Sequence, residues 1–247
     1  MAITIQNTKT LSDSPRVRMI VYGDSGVGKT TFAAGFPKPL LICPEKGLLS
    51  VAGQDLPYIE IEKWDEIEEV YLYLLKAESR KQYDTIVVDS LTDLQQRALS
   101  FILDANGREF PEQRDWGQLL EVMRRFLRQM GDLPYNLVFV CLAGTEKDEL
   151  TGIVKERPAI SGRLAVEAPA YVDIVMHMQV EKTGRGDDAV ISRYAVFQPD
   201  NRAAAKDRSG KMPVVMKDPT ADKVISRISG GSTSTKSAAQ KRRRKTK

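Results

Sequence analysis

At 247 residues, with 42% hydrophobic and 28% charged side chains, the chain has the make-up of a globular protein with one large core. No apolar run approaches the roughly 18–20 residues that cross a bilayer, and the opening MAITIQNTKTLSDSP lacks a secretory apolar stretch, which predicts a cytoplasmic protein without a membrane partner. The net charge of +4 conceals an asymmetry: residues 230–247 hold seven of the 37 Lys/Arg and no acid, so the other 30 face 33 acids, a net of −3.

Strands are predicted at 17–22 (VRMIVY), 39–43 (PLLIC), 84–89 (DTIVVD) and 136–142 (NLVFVCL), each a short apolar run. Between them, helical spacing predicts helices from Lys29, over 65–80, over 93–106 and over 116–130. Such alternation argues for an α/β fold with a mostly parallel sheet covered on both faces. After Pro169 the pattern changes. YVDIVMHMQVEKT and AVISRYAVFQP, joined by GRGDD, predict an antiparallel hairpin at one edge, followed by a polar loop and a short helix near 221–229. The expected organisation is an arm at 1–15, one domain at 16–229 and a basic tail at 230–247 too polar to fold. Cys43 and Cys141 lie in strand-like runs and read as buried free thiols.

The stretch Gly23-Asp24-Ser25-Gly26-Val27-Gly28-Lys29-Thr30-Thr31 fits G-x-x-x-x-G-K-[ST] between a strand and a helix. Glycines there let backbone N–H groups wrap phosphates; Lys29 would reach the β- and γ-phosphates, and Thr30 would hold Mg²⁺. Asp89 ends the strand DTIVVD, where an acid holds Mg²⁺ beside a phosphate loop. Glu45, after the second strand, emerges at the same sheet edge, where a carboxylate can deprotonate the attacking water. The loop also matches that of small GTPases. Those proteins read guanine with N-K-x-D, which is missing here, and the two D-x-x-G matches, at 104–107 and 207–210, follow a helix and a loop and not a strand. The nucleotide expected is therefore ATP, with Lys29, Asp89 and Glu45 as the catalytic set.

This combination resembles the RecA-like P-loop NTPase core. From about Arg16 to Lys211 the chain is similar to a group of phage-encoded RecA-core ATPases, on Asp115-Trp116-Gly117, GTEKDE at 144–149, PAISGR at 158–163, Asp173 and Ala205-Lys206-Asp207-Arg208. Some members of that group are single-strand annealing recombinases; others are known only as nucleotide-binding proteins. The resemblance implies a γ-phosphate sensor at Thr145, where RecA has glutamine, and contacts from Lys206 and Arg208 to a neighbouring subunit's nucleotide. It implies DNA-binding loops at 106–117 and 146–163, with Arg108, Arg114, Lys155, Arg157 and Arg163 on phosphates. It also implies a homo-oligomeric ring or filament in a phage-infected bacterial cell, with single-stranded DNA and a single-strand DNA-binding protein as partners.

In the tail, Lys241, Arg242, Arg243, Arg244 and Lys245 form an electrostatic footprint for nucleic acid. Seven charges on single-stranded phosphates would steepen the salt dependence of binding by about 5. His177, the only histidine, reads as a packing residue because no acid lies near it in sequence; Trp64 and Trp116 read as core residues, with base stacking the alternative for Trp116. Two functions fit these residues. One is an ATP-hydrolysing DNA recombination protein that anneals single strands. The other is a nucleotide-dependent switch or assembly ATPase acting on a protein partner.

Overall fold

The computed structural model describes residues 16–45, 47–147, 152–185 and 189–230. The arm at 1–15 and the tail cations Lys241, Arg242, Arg243, Arg244 and Lys245 lie outside the described residues. The chain begins β1 (Arg18–Gly23), α1 (Lys29–Ala34), β2 (Pro39–Cys43), a 3₁₀ turn (Leu48–Val51) and β3 (Tyr58–Glu60). It continues through α2 (Glu66–Leu74), α3 (Ala77–Gln82), β4 (Thr85–Asp89), α4 (Leu91–Ala105), α5 (Gln113–Asp132), β5 (Asn136–Lys147) and β6 (Val154–Pro158). The C-terminal part is α6 (Leu164–Tyr171), β7 (Ile174–Thr183), β8 (Val190–Val196), β9 (Lys206–Asp207), β10 (Val215–Lys217) and α7 (Ala221–Ile228).

The sheet runs β10-β8-β7-β1-β5-β4-β2-β3. From β7 to β3 all neighbours are parallel, and the expected hairpin β7–β8 extends the sheet antiparallel. Alternate residues of each strand serve opposite faces. Ile20, Tyr22, Ile86, Val88, Phe139 and Cys141 pack under α2, α4, α5 and α6, while Met19, Val21, Val87, Val138 and Val140 pack under α1 and α7. A parallel sheet covered on both faces has strands apolar throughout, and that is why the sequence marks these strands so clearly. Cys43 and Cys141 are buried free thiols.

Three features depart from expectation. The helix expected over 65–80 is two, broken where Lys76 turns extended (φ −69, ψ 147). The Tyr135 hydroxyl donates to the Leu74 carbonyl (2.8 Å) and meets the buried Ser79 hydroxyl (2.5 Å), so a distant side chain satisfies the end of α2. β5 continues five residues past its expected end, leaving the parallel ladder at Leu142 to pair antiparallel with β6. The short strands β3, β6, β9 and β10 were not expected, because two to five residues carry too little periodicity.

Tyr135→Phe should therefore cost about 1–2 kcal/mol by leaving a buried carbonyl underpaired. A lower urea midpoint at unchanged slope would show it; an unmoved midpoint would mean that another group closes α2.

Candidate functional site

Gly23 closes β1 against β7 so tightly that a Cβ there would lie 2.2 Å from the Met178 carbonyl oxygen. Only glycine lets the loop start at that depth. The chain then turns through Gly26 (φ 80) and Gly28 (φ 102), left-handed conformations that L side chains avoid, and Gly28 caps the start of α1. Alternation of this kind builds the backbone concavity that suits anions. Lys29 is buried. Its ammonium donates to the carbonyls of Gly23 (2.8 Å) and Asp24 (2.7 Å), at the mouth of its own loop. Burial lowers its pKa, and the charges of Asp89 and Asp24 oppose that shift.

Asp89 ends β4 facing the loop, with the Thr30 hydroxyl donating to its carboxylate. Burial pushes the Asp89 carboxyl above its usual range, while the Thr30 hydrogen bond and the Lys29 charge pull it back. The peptide after Asp89 is cis, and Ser90 then caps α4: its hydroxyl oxygen accepts from the Asp93 N–H (3.1 Å) and its proton goes to the Asp93 carboxylate. Asp93 in turn meets Glu45. Burial first, then the Asp93 carboxylate by charge and by hydrogen bond, raise the Glu45 carboxyl. Arg97 donates to the Pro44 carbonyl (3.0 Å) and steadies the turn that carries Glu45.

These side chains share one cleft of about 320 Å³, lined by Ser25, Lys29, Thr30, Glu45, Asp89 and Arg193 among others. Gly26, Gly28 and Thr31 also line it, while Val27 points into the core. The neighbouring oxygens of Thr30 and Asp89 are hard donors of the kind Mg²⁺ takes. Among the described residues no cluster of three or more His, Cys, Asp or Glu could hold a metal by itself. An ammonium, a hydroxyl–carboxylate pair and a second carboxylate of raised basicity around an anion-binding loop can bind a phosphate chain and position a water.

The protein-family comparison agrees with this geometry: a family model described as AAA domain matches residues 16–209. The chain belongs to that AAA-domain family. Membership supports nucleotide binding of the P-loop NTPase type. Among curated proteins the chain is similar to the SPbeta prophage-derived uncharacterized protein YorG of Bacillus subtilis (strain 168). The two are 33% identical over 86 residues, or 34% of this chain and 26% of that protein, so the chain spans about a quarter of the relative's length.

The remaining expected site residues lie elsewhere. Thr145 pairs with Glu156 on the extension of β5, whereas Val140 and Leu142, earlier in that strand, line the cleft. Lys206 donates to the carbonyls of Pro169 and Val172 at the end of α6, and Arg208 pairs with Asp173 (3.1 Å), which also holds Arg18. Arg108 donates from one terminal nitrogen to both carboxylate oxygens of the buried Asp115, whose carboxyl is held low first by the Glu112 N–H and then by Arg108. Arg157 pairs with Glu146 (2.6 Å), Arg163 with Glu167 (2.7 Å) and Arg114 with Glu112 (3.7 Å). Lys155 has no ion pair among the described residues.

Trp64 packs edge-on against Phe126, as read from the sequence, whereas Trp116 is 42% exposed. Sequence reasoning missed two residues near the cleft. Asp93 carried a signal, since Ser90-Leu91-Thr92-Asp93 has capping-box spacing. Arg193 carried none. His177 does have an acid partner: it stacks on Tyr22 (4.5 Å) and meets the Glu156 carboxylate (2.9 Å), and burial lowers its pKa. Tyr22 donates to the Ala204 carbonyl (2.7 Å), with the Glu156 carbonyl also in reach at 3.1 Å.

Lys29→Ala should weaken nucleotide triphosphate binding by about 2–3 kcal/mol, the worth of charged hydrogen bonds. Its melting temperature without nucleotide should not fall, because a desolvated cation is removed. Unchanged affinity by calorimetry would detach Lys29 from the site.

Proposed function

We propose that this protein binds and hydrolyses ATP and works on DNA in a phage setting, binding single-stranded DNA and promoting annealing of complementary strands as a homo-oligomer. The observation that carries the hydrolytic part is the convergence of Lys29, Thr30, Asp89 and Glu45 on one cleft. Lys29 exchanges its loop carbonyls for phosphate oxygens. Thr30 and Asp89 hold Mg²⁺, which when bound neutralises phosphate charge. Glu45 orients a water and takes its proton, a task favoured by a carboxyl whose pKa burial and Asp93 have raised. The DNA part is supported by the resemblance to annealing recombinases and by the basic tail, and the phage setting by the prophage-derived relative. Lys155 on the hairpin β5–β6 adds a cation without an ion pair among the described residues.

A second reading, a nucleotide-dependent switch acting on a protein partner, is favoured by one observation. Arg108, Arg157 and Arg163, expected to meet DNA, already hold carboxylates within the chain. ATP turnover with and without single-stranded DNA, alongside an annealing assay, separates the two. Stimulation and annealing, both lost in Glu45→Gln while ATP binding is kept, are expected; turnover indifferent to DNA and no annealing would leave the switch.

The pH profile tests the base. Glu45 is competent only when ionised, so turnover should fall as pH drops through its raised pKa, above the ordinary carboxylate range. Asp93→Asn removes the like charge and should move that acid limb downward. A limb that stays in place would assign the titration to another group.

A further inference from the structure

Arg193 reaches the glycine loop from β8, and nothing assigned above explains it. Its Nε donates to the Val27 carbonyl (3.1 Å), and a Cβ on Gly28 would lie 3.0 Å from that nitrogen, so the guanidinium rests on the loop backbone. Among the described residues it has no carboxylate partner and no other hydrogen bond. A planar cation with its two terminal nitrogens unpaired, beside an ammonium in a shared cleft, is a receptor for phosphate oxygens.

Arg193 also lines a second groove of about 340 Å³, on the flank of α1, with Thr31, Gly35, Pro219 and Asp222. Gly28, Thr31 and Arg193 line both spaces, which makes them contiguous across the arginine. The floor of the second is Phe32 and Met178, an apolar surface that would suit a flat ring, and Asp222 at its exposed rim is an acceptor for hydroxyl protons. A polyanionic chain joined to a ring and a sugar has this two-part shape.

We propose that Arg193 binds nucleotide phosphate in cis through its free terminal nitrogens, and that the groove between α1 and the Pro219–Asp222 turn takes the base and ribose. The inference rests on the nucleotide reading of the cleft. Calorimetric titration of the full chain with ATP, and separately with inorganic tripolyphosphate, tests each half. Arg193→Ala should weaken both ligands about ten-fold or more, and Arg193→Lys should restore only part, because lysine cannot both anchor on Val27 and fork toward phosphate. Asp222→Trp, which fills the groove from an exposed position, should weaken ATP about ten-fold and leave tripolyphosphate unchanged. Wild-type affinities in Arg193→Ala would remove the arginine from the site. Equal losses for both ligands in Asp222→Trp, or none, would remove the groove. If Lys29→Ala binds tripolyphosphate as the native chain does, the phosphate site itself is misplaced.

Discussion

The cleft exists because β1 and β4 stop within two residues of one another on either side of β5. β5 lies between β1 and β4, and the register sets Gly23 opposite Leu142 and Asp89 opposite Val140. Two strand spacings, about 10 Å, separate the strand that feeds the glycine loop from the strand that ends in Asp89. The loop and the first turn of α1 bridge that gap and deliver the Thr30 hydroxyl to the Asp89 carboxylate. A one-residue slip of β4 would turn Asp89 to the other face of the sheet and lose the contact. From the same level α4 departs. Its first turns bring Asp93 to Glu45, the Thr92 hydroxyl to the Leu142 N–H (3.1 Å), and the Gln95 side-chain oxygen Oε1 to the Ser161 N–H (2.8 Å). One helix thereby ties the second strand, the inserted strand and the PAISGR segment to the acid that begins it.

Bringing these charges together works against hydration. Burial is the largest influence on Lys29, Asp89 and Glu45 alike, lowering the first and raising the other two. Their mutual attractions offset part of that cost, and a phosphate chain with its metal ion would offset more. The arginines outside the cleft are in the opposite condition. Arg108 is nearly enclosed with Asp115, and withdrawing it would strand a buried carboxylate. Position in a basic-looking loop does not make a cation available.

What the sequence could reveal follows from how local each cause is. The glycine loop, Asp89 and Glu45 were legible because a strand and the residues just after it carry their whole meaning. Strands buried on both faces were legible as unbroken apolar runs. The break after Leu74 was not, since its cause, Tyr135, is 61 residues away. Arg193 meets Val27 across 166 residues, and nothing in ISRY marks that arginine apart from any other on an edge strand. His177 packs as the sequence suggested, stacked on Tyr22, but its acid, Glu156, was hidden because it sits on β6, a strand too short and too charged to foresee.

The extension of β5 has a mechanical meaning. The strand runs without interruption from between the two nucleotide-facing strands to the outlying hairpin, β6 folds back along it, and Tyr22, next to Gly23, is tied to β6 through Glu156. Together they make a triangulated truss with one corner at the root of the glycine loop. A load applied where Lys147 pairs with Val154 has two routes to the loop, along β5 and through the Tyr22 strut.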